Sequence, residues 1–394
     1  MFYERPQAQF SHVPGLDSDK FMWLATSQPL KDLFSSFRFT ITLFEKLKKY
    51  LMLRMAACFS SSSIYACPPV YVISKIPNLA KCLKECALPG IQIKPVDVSD
   101  ISLESAALNE EKINIIKEAE IAVCDGSLLA NFYKCMPNLK WAHCTWAGVE
   151  PLIKVISQEP TFTLTRHGDQ AFCSIMAEYV MCHILNCERQ TKLCWRNQNS
   201  KIWSQEGKIS NFRTLDKITV SILGVGNMAS EIAKFLKVRG TTIYGFARTP
   251  RSSDRLGSFD KISNNLDDIL PDCDYLCNTL PSTTLTSGIL NASVLQMCKK
   301  APVFINVGRG DVISEKELVL ALRNGSLSGA VLDVFEIEPL PESSELWNMQ
   351  QVTITPHVAA ISKPEYIAAE FFDLFLSYTD GHGLKNIVNW STGY

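Results

Sequence analysis

From Pro69 onward the chain alternates short apolar, mostly β-branched runs with longer stretches whose apolar positions recur at helical spacing. Such a short run reads as a buried strand, and apolar residues at i, i+3, i+4 and i+7 read as one face of a helix. In a first series, strands are expected at Val70–Ser74 (VYVIS), Ile91–Pro95, Ile121–Cys124 (IAVC) and Trp141–Cys144. Helical stretches run from Pro77 to Cys86 and from Asn109 to Ala119. A second series begins near Leu215, with strands expected at Ile218–Leu223 (ITVSIL), Thr242–Phe246, Tyr275–Leu280, Val303–Val307, Ala330–Val334 and Val352–Thr355. The helix Met228–Val238 sets Ala229, Ile232, Ala233 and Leu236 on one face. Ser314 and Glu317 have the spacing of a capping box and start a helix that ends near Asn324-Gly325. Between the two series, residues 171–200 read as one long helix through Ala177, Val180, Ile184 and Leu185. Alternation of this kind predicts an α/β fold built on parallel sheets.

Composition narrows the picture. The 394 residues leave room for two or three domains, and 46% hydrophobic against 20% charged residues excludes wholesale disorder. Lys+Arg number 39 and Asp+Glu 40, a net charge of -1 that argues against a nucleic-acid partner. No stretch reaches the roughly 18 apolar residues of a membrane helix, so no membrane partner is expected. The 14 cysteines follow no regular framework and read as reduced thiols of a cytoplasmic protein. Residues 1–68 stand apart. Ser35–Ala66 carries Arg38, Lys46, Lys48, Lys49 and Arg54 against the single acid Glu45, with Ser60–Ser63 after an apolar Leu51–Phe59. Two readings are open, a mitochondrial transit peptide or, preferred, a bland one: a poorly ordered extension, or an upstream start with translation beginning at Met52 or Met55.

Gly224-Val225-Gly226-Asn227-Met228-Ala229 is a G-x-G-x-x-A string between a strand and a helix. In that setting Gly224 permits a tight turn, Gly226 lets a pyrophosphate approach the backbone, and Ala229 allows close helix–strand packing. The helix N-terminus offers unpaired N–H groups to the phosphates. At the end of the next strand, where an NAD site usually has Asp or Glu, the sequence reads Phe246-Ala247-Arg248-Thr249-Pro250-Arg251. Arg248 can stack on adenine and pair with a 2′-phosphate, and Thr249 or Arg251 can add to the grip. NADPH is therefore expected over NADH.

Three more residues follow successive strands of the second series: Arg309, Glu338 and His357. A fixed cation, a carboxylate and an imidazole are the equipment for reducing a 2-oxo acid. The cation holds the substrate carboxylate and polarises the carbonyl, the imidazolium gives a proton to the developing alkoxide, and the carboxylate orients the ring. Cys182, His183, Cys187 and Cys194 crowd one helix and read as an apolar face, with no metal expected. Arg166-His167 either contacts cofactor or substrate or begins the interdomain connection.

With these pieces in place, Pro69 to Tyr394 resembles the D-isomer-specific 2-hydroxyacid dehydrogenase family, nearest the glyoxylate/hydroxypyruvate reductases of the bacterial type A group. The resemblance rests on Leu223–Ala229, Asn306–Gly310, Gly329–Pro341, Thr353–Lys363, Trp146-Ala147-Gly148-Val149 and Val388–Tyr394. It implies two doubly wound, Rossmann-like domains with the active site in the cleft between them. Residues 69–190 plus 358–394 would form a flavodoxin-like substrate domain, and 191–357 the NAD(P)-binding domain. By the same resemblance His357 is the acid/base, Glu338 its partner, and Arg309 a substrate contact together with Trp146, Ala147, Gly148 and Val149. Asn227, Met228, Leu280, Pro281, Val307 and Asp333 join the cofactor contacts. Trp203 matches an aromatic position in an arm before the nucleotide domain, and a homodimer is implied. Two rivals remain at this stage: a catalytically silent NAD(P)-binding sensor on the same fold, and an L-specific dehydrogenase, whose fingerprint would normally lie near the N-terminus.

Overall fold

A computed structural model describes residues 67–101, 109–248 and 257–393. Residues 1–66 of the N-terminal extension, on which both of its readings rest, and Thr249, Arg251 and Tyr394 lie outside the described residues. The rest folds as two parallel-sheet α/β domains.

The first sheet contains β1 (Val70–Ile73), β2 (Ile93–Pro95), β3 (Ile121–Cys124), β4 (Trp141–Cys144) and β5 (Thr163–Arg166), in the order β2-β1-β3-β4-β5. Every pairing is parallel. Successive side chains of a strand point to opposite faces, so one short run feeds two cores. Val70, Val72, Ile121, Val123 and Trp141 pack with α1 (Leu79–Cys86) and with Ile367, Phe371 and Phe375 of α10 (Pro364–Thr379). Tyr71, Ile73, Ala122, Cys124, Ala142 and Cys144 pack on the other face, against Ile116 of α2 (Glu110–Ile116), Leu128 and Leu129 of α3 (Gly126–Phe132), and Leu152 of α4 (Glu150–Val155).

The second sheet contains β6 (Thr219–Leu223), β7 (Thr242–Phe246), β8 (Lys261–Ser263), β9 (Tyr275–Asn278), β10 (Val303–Asn306), β11 (Gly329–Leu332) and β12 (Val352–Ile354). Its order is β12-β11-β10-β9-β6-β7-β8, again all parallel. The strand order reverses between β6 and β9, which makes a crevice outside their carboxyl ends, the place where ligands bind in open α/β sheets. One face is covered by α5 (Gln170–Glu188) and α7 (Asn227–Lys237), the other by α8 (Ala292–Leu295) and α9 (Glu315–Arg323).

Two expectations need correction. The long helix 171–200 is two helices, α5 and α6 (Thr191–Asn199), separated at Gln190, whose φ is 52°. A left-handed residue breaks the hydrogen-bond ladder, and here that residue is Gln, which gives no turn signal. The capping box at Ser314 is half formed. Ser314 Oγ accepts from the Glu317 backbone N–H, but the Glu317 carboxylate accepts from the N–H of Ala292.

Candidate active site

A cleft of about 390 Å³ is lined by Ala147, Val149, Glu150 and Arg166 from the first domain, by Phe172 of α5, and by the 224–229 turn, Arg248, Leu280, Pro281, Val307 and Arg309 from the second. The turn after β6 fits the expected cradle. Gly224 has φ +102°, and a Cβ there would stand 2.7 Å from Thr279 Oγ1. A Cβ on Gly226 would meet nothing within 4 Å. Gly226 is the N-cap of α7 and no side chain caps the helix, so its first-turn N–H groups are left for a ligand in the cleft. The residues present therefore fit a dinucleotide pyrophosphate. Arg248, two residues beyond β7, lines the cleft and is exposed.

Strand ends fix the rest of the site. Asn278 and Asn306 close β9 and β10, with Asn278 Nδ2 donating to Asn306 Oδ1 at 2.9 Å. Asn278 Oδ1 accepts from the N–H of Leu280, and Asn306 Nδ2 donates to the carbonyl of Arg309. Two buried amides thus set both walls of the crevice, a role that their sequence setting did not announce. Gly310 packs against the backbone of Phe335, where a Cβ would come within 1.9 Å of its carbonyl carbon, and this closeness orients the preceding Arg309.

His357 and Glu338 meet as expected. His357 Nδ1 lies 2.8 Å from Glu338 Oε2, and Glu338 Oε1 accepts from the Phe335 N–H. The hydrogen bond to Glu338 raises the His357 pKa, against a smaller opposing effect of burial. For Glu338 burial disfavours the charged form, but the bonds from His357 and the Phe335 backbone outweigh it and lower the pKa. His357 has φ 54°, a sparsely populated conformation for a residue with a side chain, of the kind that clusters at functional sites. Asp333 sustains it. Asp333 is 2% exposed, and its carboxylate accepts from the N–H groups of Val358 and Ala359 and from Thr355 Oγ1. Asp333, expected among the cofactor contacts, thus braces the histidine loop, and like Glu338 and His357 it stands behind the residues that line this cleft.

Trp146, expected at the substrate, lies in the loop after β4. It is half-buried against the core of the first domain, while Ala147 and Val149 reach the cleft. Gly148 lies beneath the Arg309 guanidinium, where a Cβ would be 2.2 Å from Nη2. The loop is anchored from below by buried Asp125, which accepts from Thr145 Oγ1, Ser74 Oγ and the Lys75 N–H. Arg166 lines the cleft and donates to the Ala147 carbonyl. Glu150, missed in the sequence, pairs with Arg309, Nε to Oε1 at 2.6 Å. Cys182 is exposed, and His183 packs on the Tyr179 ring.

The two parallel-sheet domains and the turn after β6 fit the class of dinucleotide-binding oxidoreductases. Residues 181–359 match the family described as D-isomer specific 2-hydroxyacid dehydrogenase, NAD binding domain. The chain is 32% identical over 233 residues to glyoxylate/hydroxypyruvate reductase A of Yersinia enterocolitica, covering 58% of this chain and 73% of the relative. It is similar to the crystal structure of a D-isomer specific 2-hydroxyacid dehydrogenase family protein from Aeromonas salmonicida, with TM-score 0.71, 30% identity, and 82% and 99% of the two chains covered. It is also similar to the NADPH-dependent glyoxylate/hydroxypyruvate reductase of Sinorhizobium meliloti in complex with NADP and sulfate, with TM-score 0.69, 28% identity, and 83% and 100% covered. The chain belongs to the D-isomer-specific 2-hydroxyacid dehydrogenase family, oxidoreductases acting on the CH–OH group of donors.

Proposed function

We propose that the protein reduces small 2-oxo acids with NADPH, glyoxylate to glycolate and hydroxypyruvate to the D-2-hydroxy acid. The observation that carries this reading is the His357–Glu338 pair at 2.8 Å beside the Arg309 turn, at the carboxyl ends of adjacent strands. Reduced nicotinamide bound in the cleft supplies the hydride. Arg309 and the backbone of Ala147–Val149 hold the carboxylate and polarise the carbonyl. Glu338 occupies Nδ1 of His357, which leaves Nε2 to deliver the proton to the alkoxide.

The cofactor turn is the 224–229 segment with Leu280, Pro281 and Val307. Arg248 supports NADPH, as does the name of the Sinorhizobium relative. In this reading residues 69–190 with 358–394 present the substrate and 191–357 the dinucleotide. The protein works in the cytoplasm as a homodimer, which the 92% exposure of Trp203 and 65% of Trp195 supports.

Initial rates over a panel of 2-oxo acids, with NADPH and NADH in parallel, test it. Turnover of glyoxylate and hydroxypyruvate with kcat/KM at least about tenfold higher for NADPH is expected. Equal rates with the two cofactors would remove the preference, and no turnover on the panel would remove the activity. Sedimentation at micromolar protein checks the dimer.

A further inference from the structure

The donor edge that the proposed chemistry assigns to the substrate is already filled by the protein's own carboxylate. Arg309 Nε donates to Glu150 Oε1 at 2.6 Å and Nη2 to Oε2 at 3.4 Å, while Nη1 donates to the Gly308 carbonyl at 2.7 Å. The Nε and Nη2 hydrogens form the fork that takes a carboxylate with two parallel bonds. Glu150 sits where it does because it is the first residue of α4, directly after the loop whose backbone is to hold the substrate. The pair lies over Gly148. A Cβ on that glycine would meet Arg309 Nη2 at 2.2 Å and Glu150 Oε2 at 2.5 Å, so the internal carboxylate rests on the loop where a substrate carboxylate would rest.

Both partners line the cleft, with side chains 27% and 29% exposed. Water therefore reaches the pair and exchange is possible. Burial alone would disfavour the charged Glu150, but Arg309 overrides it and lowers the carboxyl pKa, so the side chain is ionised at neutral pH.

We propose that Glu150 is a specificity-determining residue: an internal carboxylate that holds Arg309 until a substrate carboxylate replaces it. The inference rests on the reading of Arg309 as the substrate contact. A 2-oxo acid brings two oxygens of matching charge and spacing and can complete the exchange. A neutral aldehyde or ketone cannot, because its carbonyl oxygen would leave the Glu150 charge unpaired or the guanidinium still occupied. The gate therefore weakens binding of the true substrate modestly and excludes neutral carbonyl compounds strongly.

The test compares wild type with Glu150→Gln and Glu150→Asp, the latter keeping the charge but shortening the reach. It measures KM and kcat for glyoxylate and for the neutral methylglyoxal with NADPH, and binding of oxalate to the enzyme without substrate by calorimetry. Both variants are expected to lower KM for glyoxylate and to tighten oxalate by about threefold or more, since a partly exposed ion pair is worth a factor of about this size. Methylglyoxal should gain in kcat/KM relative to glyoxylate in Glu150→Gln. A raised glyoxylate KM with weakened oxalate in both variants would overturn the gate and make Glu150 a brace for Arg309. Unchanged constants would also overturn it. Arg309→Lys in the same assays separates the two levels. If it leaves KM and oxalate binding unchanged, the substrate role of Arg309 fails. If it weakens both while the Glu150 variants do not tighten either, only the gate fails.

Discussion

Asp333 and Glu338 leave the same strand and serve the same histidine in different ways. Asp333 holds the loop backbone around His357, and Glu338 holds the ring. Their neutral amide variants should separate those roles. Glu338→Gln removes the charge that raises the His357 pKa, so the midpoint at which reduction fails on raising the pH should move to lower pH. Asp333→Asn sets an N–H against donors that need an acceptor, at a cost of about 1–3 kcal/mol in the loop. It should lower kcat with a much smaller midpoint shift. A pH–rate profile for each variant distinguishes them, and identical shifts would refute the division. His357→Ala should cost about a hundredfold or more in kcat while NADPH still binds. Near wild-type reduction by that variant would end the proposed mechanism. At this scale Arg309, Glu338 and His357 were legible because each follows a strand of one sheet. Glu150 was not, since an acid at the first position of a helix is usual for the helix dipole alone and its partner is distant in sequence.

The turn after β6 shows how far one element can be read and tested. Gly224 and Gly226 occupy one string but answer to different demands. At Gly224 the positive φ and the nearby Thr279 make any side chain costly to the fold. At Gly226 φ is -73° and a Cβ meets open space, so the constraint comes from what binds there. Gly224→Ala should therefore lower Tm, whereas Gly226→Ala should leave Tm nearly unchanged and raise the Kd for NADPH. Thermal melts with cofactor titrations check both, and loss of Tm in Gly226→Ala would argue for a structural role only. Arg248→Ala should raise KM for NADPH and spare NADH, because only NADPH carries the 2′-phosphate. Most strands were readable from apolar runs, with ends trimmed by a residue or two in the structure. β8 was not, because Lys261–Ser263 is a half-exposed edge strand with no apolar run. α3 was not, because it opens on Gly126-Ser127, which reads as a turn.

For the whole molecule, acid stability should depend on a site far from the cleft in function though not in fold. His143 on β4 and His167 after β5 are wholly buried, together with Glu370 of α10. His167 Nδ1 bonds to Glu370 Oε2, whose other oxygen accepts from Asn386 Nδ2, so the C-terminal segment is tied to the first sheet. His143 Nδ1 bonds to Thr165 Oγ1, and its Nε2 and that of His167 have no partner among the described residues. Burial lowers the His143 pKa to about 4, outweighing the attraction of Glu370. The unfolded chain takes up that proton near pH 6.5, and the native state does not until about pH 4. The unfolded state thus binds more protons across this window, so stability must fall as pH falls from 6.5 towards 4, by about 3 kcal/mol for this one group. Glu370, whose pKa is lowered by the hydrogen bond from His167 against its own burial, acts in the same direction at the acid end. His143→Leu keeps an apolar side chain in the site, and Thr165 Oγ1 still accepts from Trp141 Nε1. It should flatten the decline of Tm between pH 6.5 and 4, with Tm at neutral pH changed far less than the acid limb. An acid limb as steep as wild type in His143→Leu would place the sensitivity elsewhere.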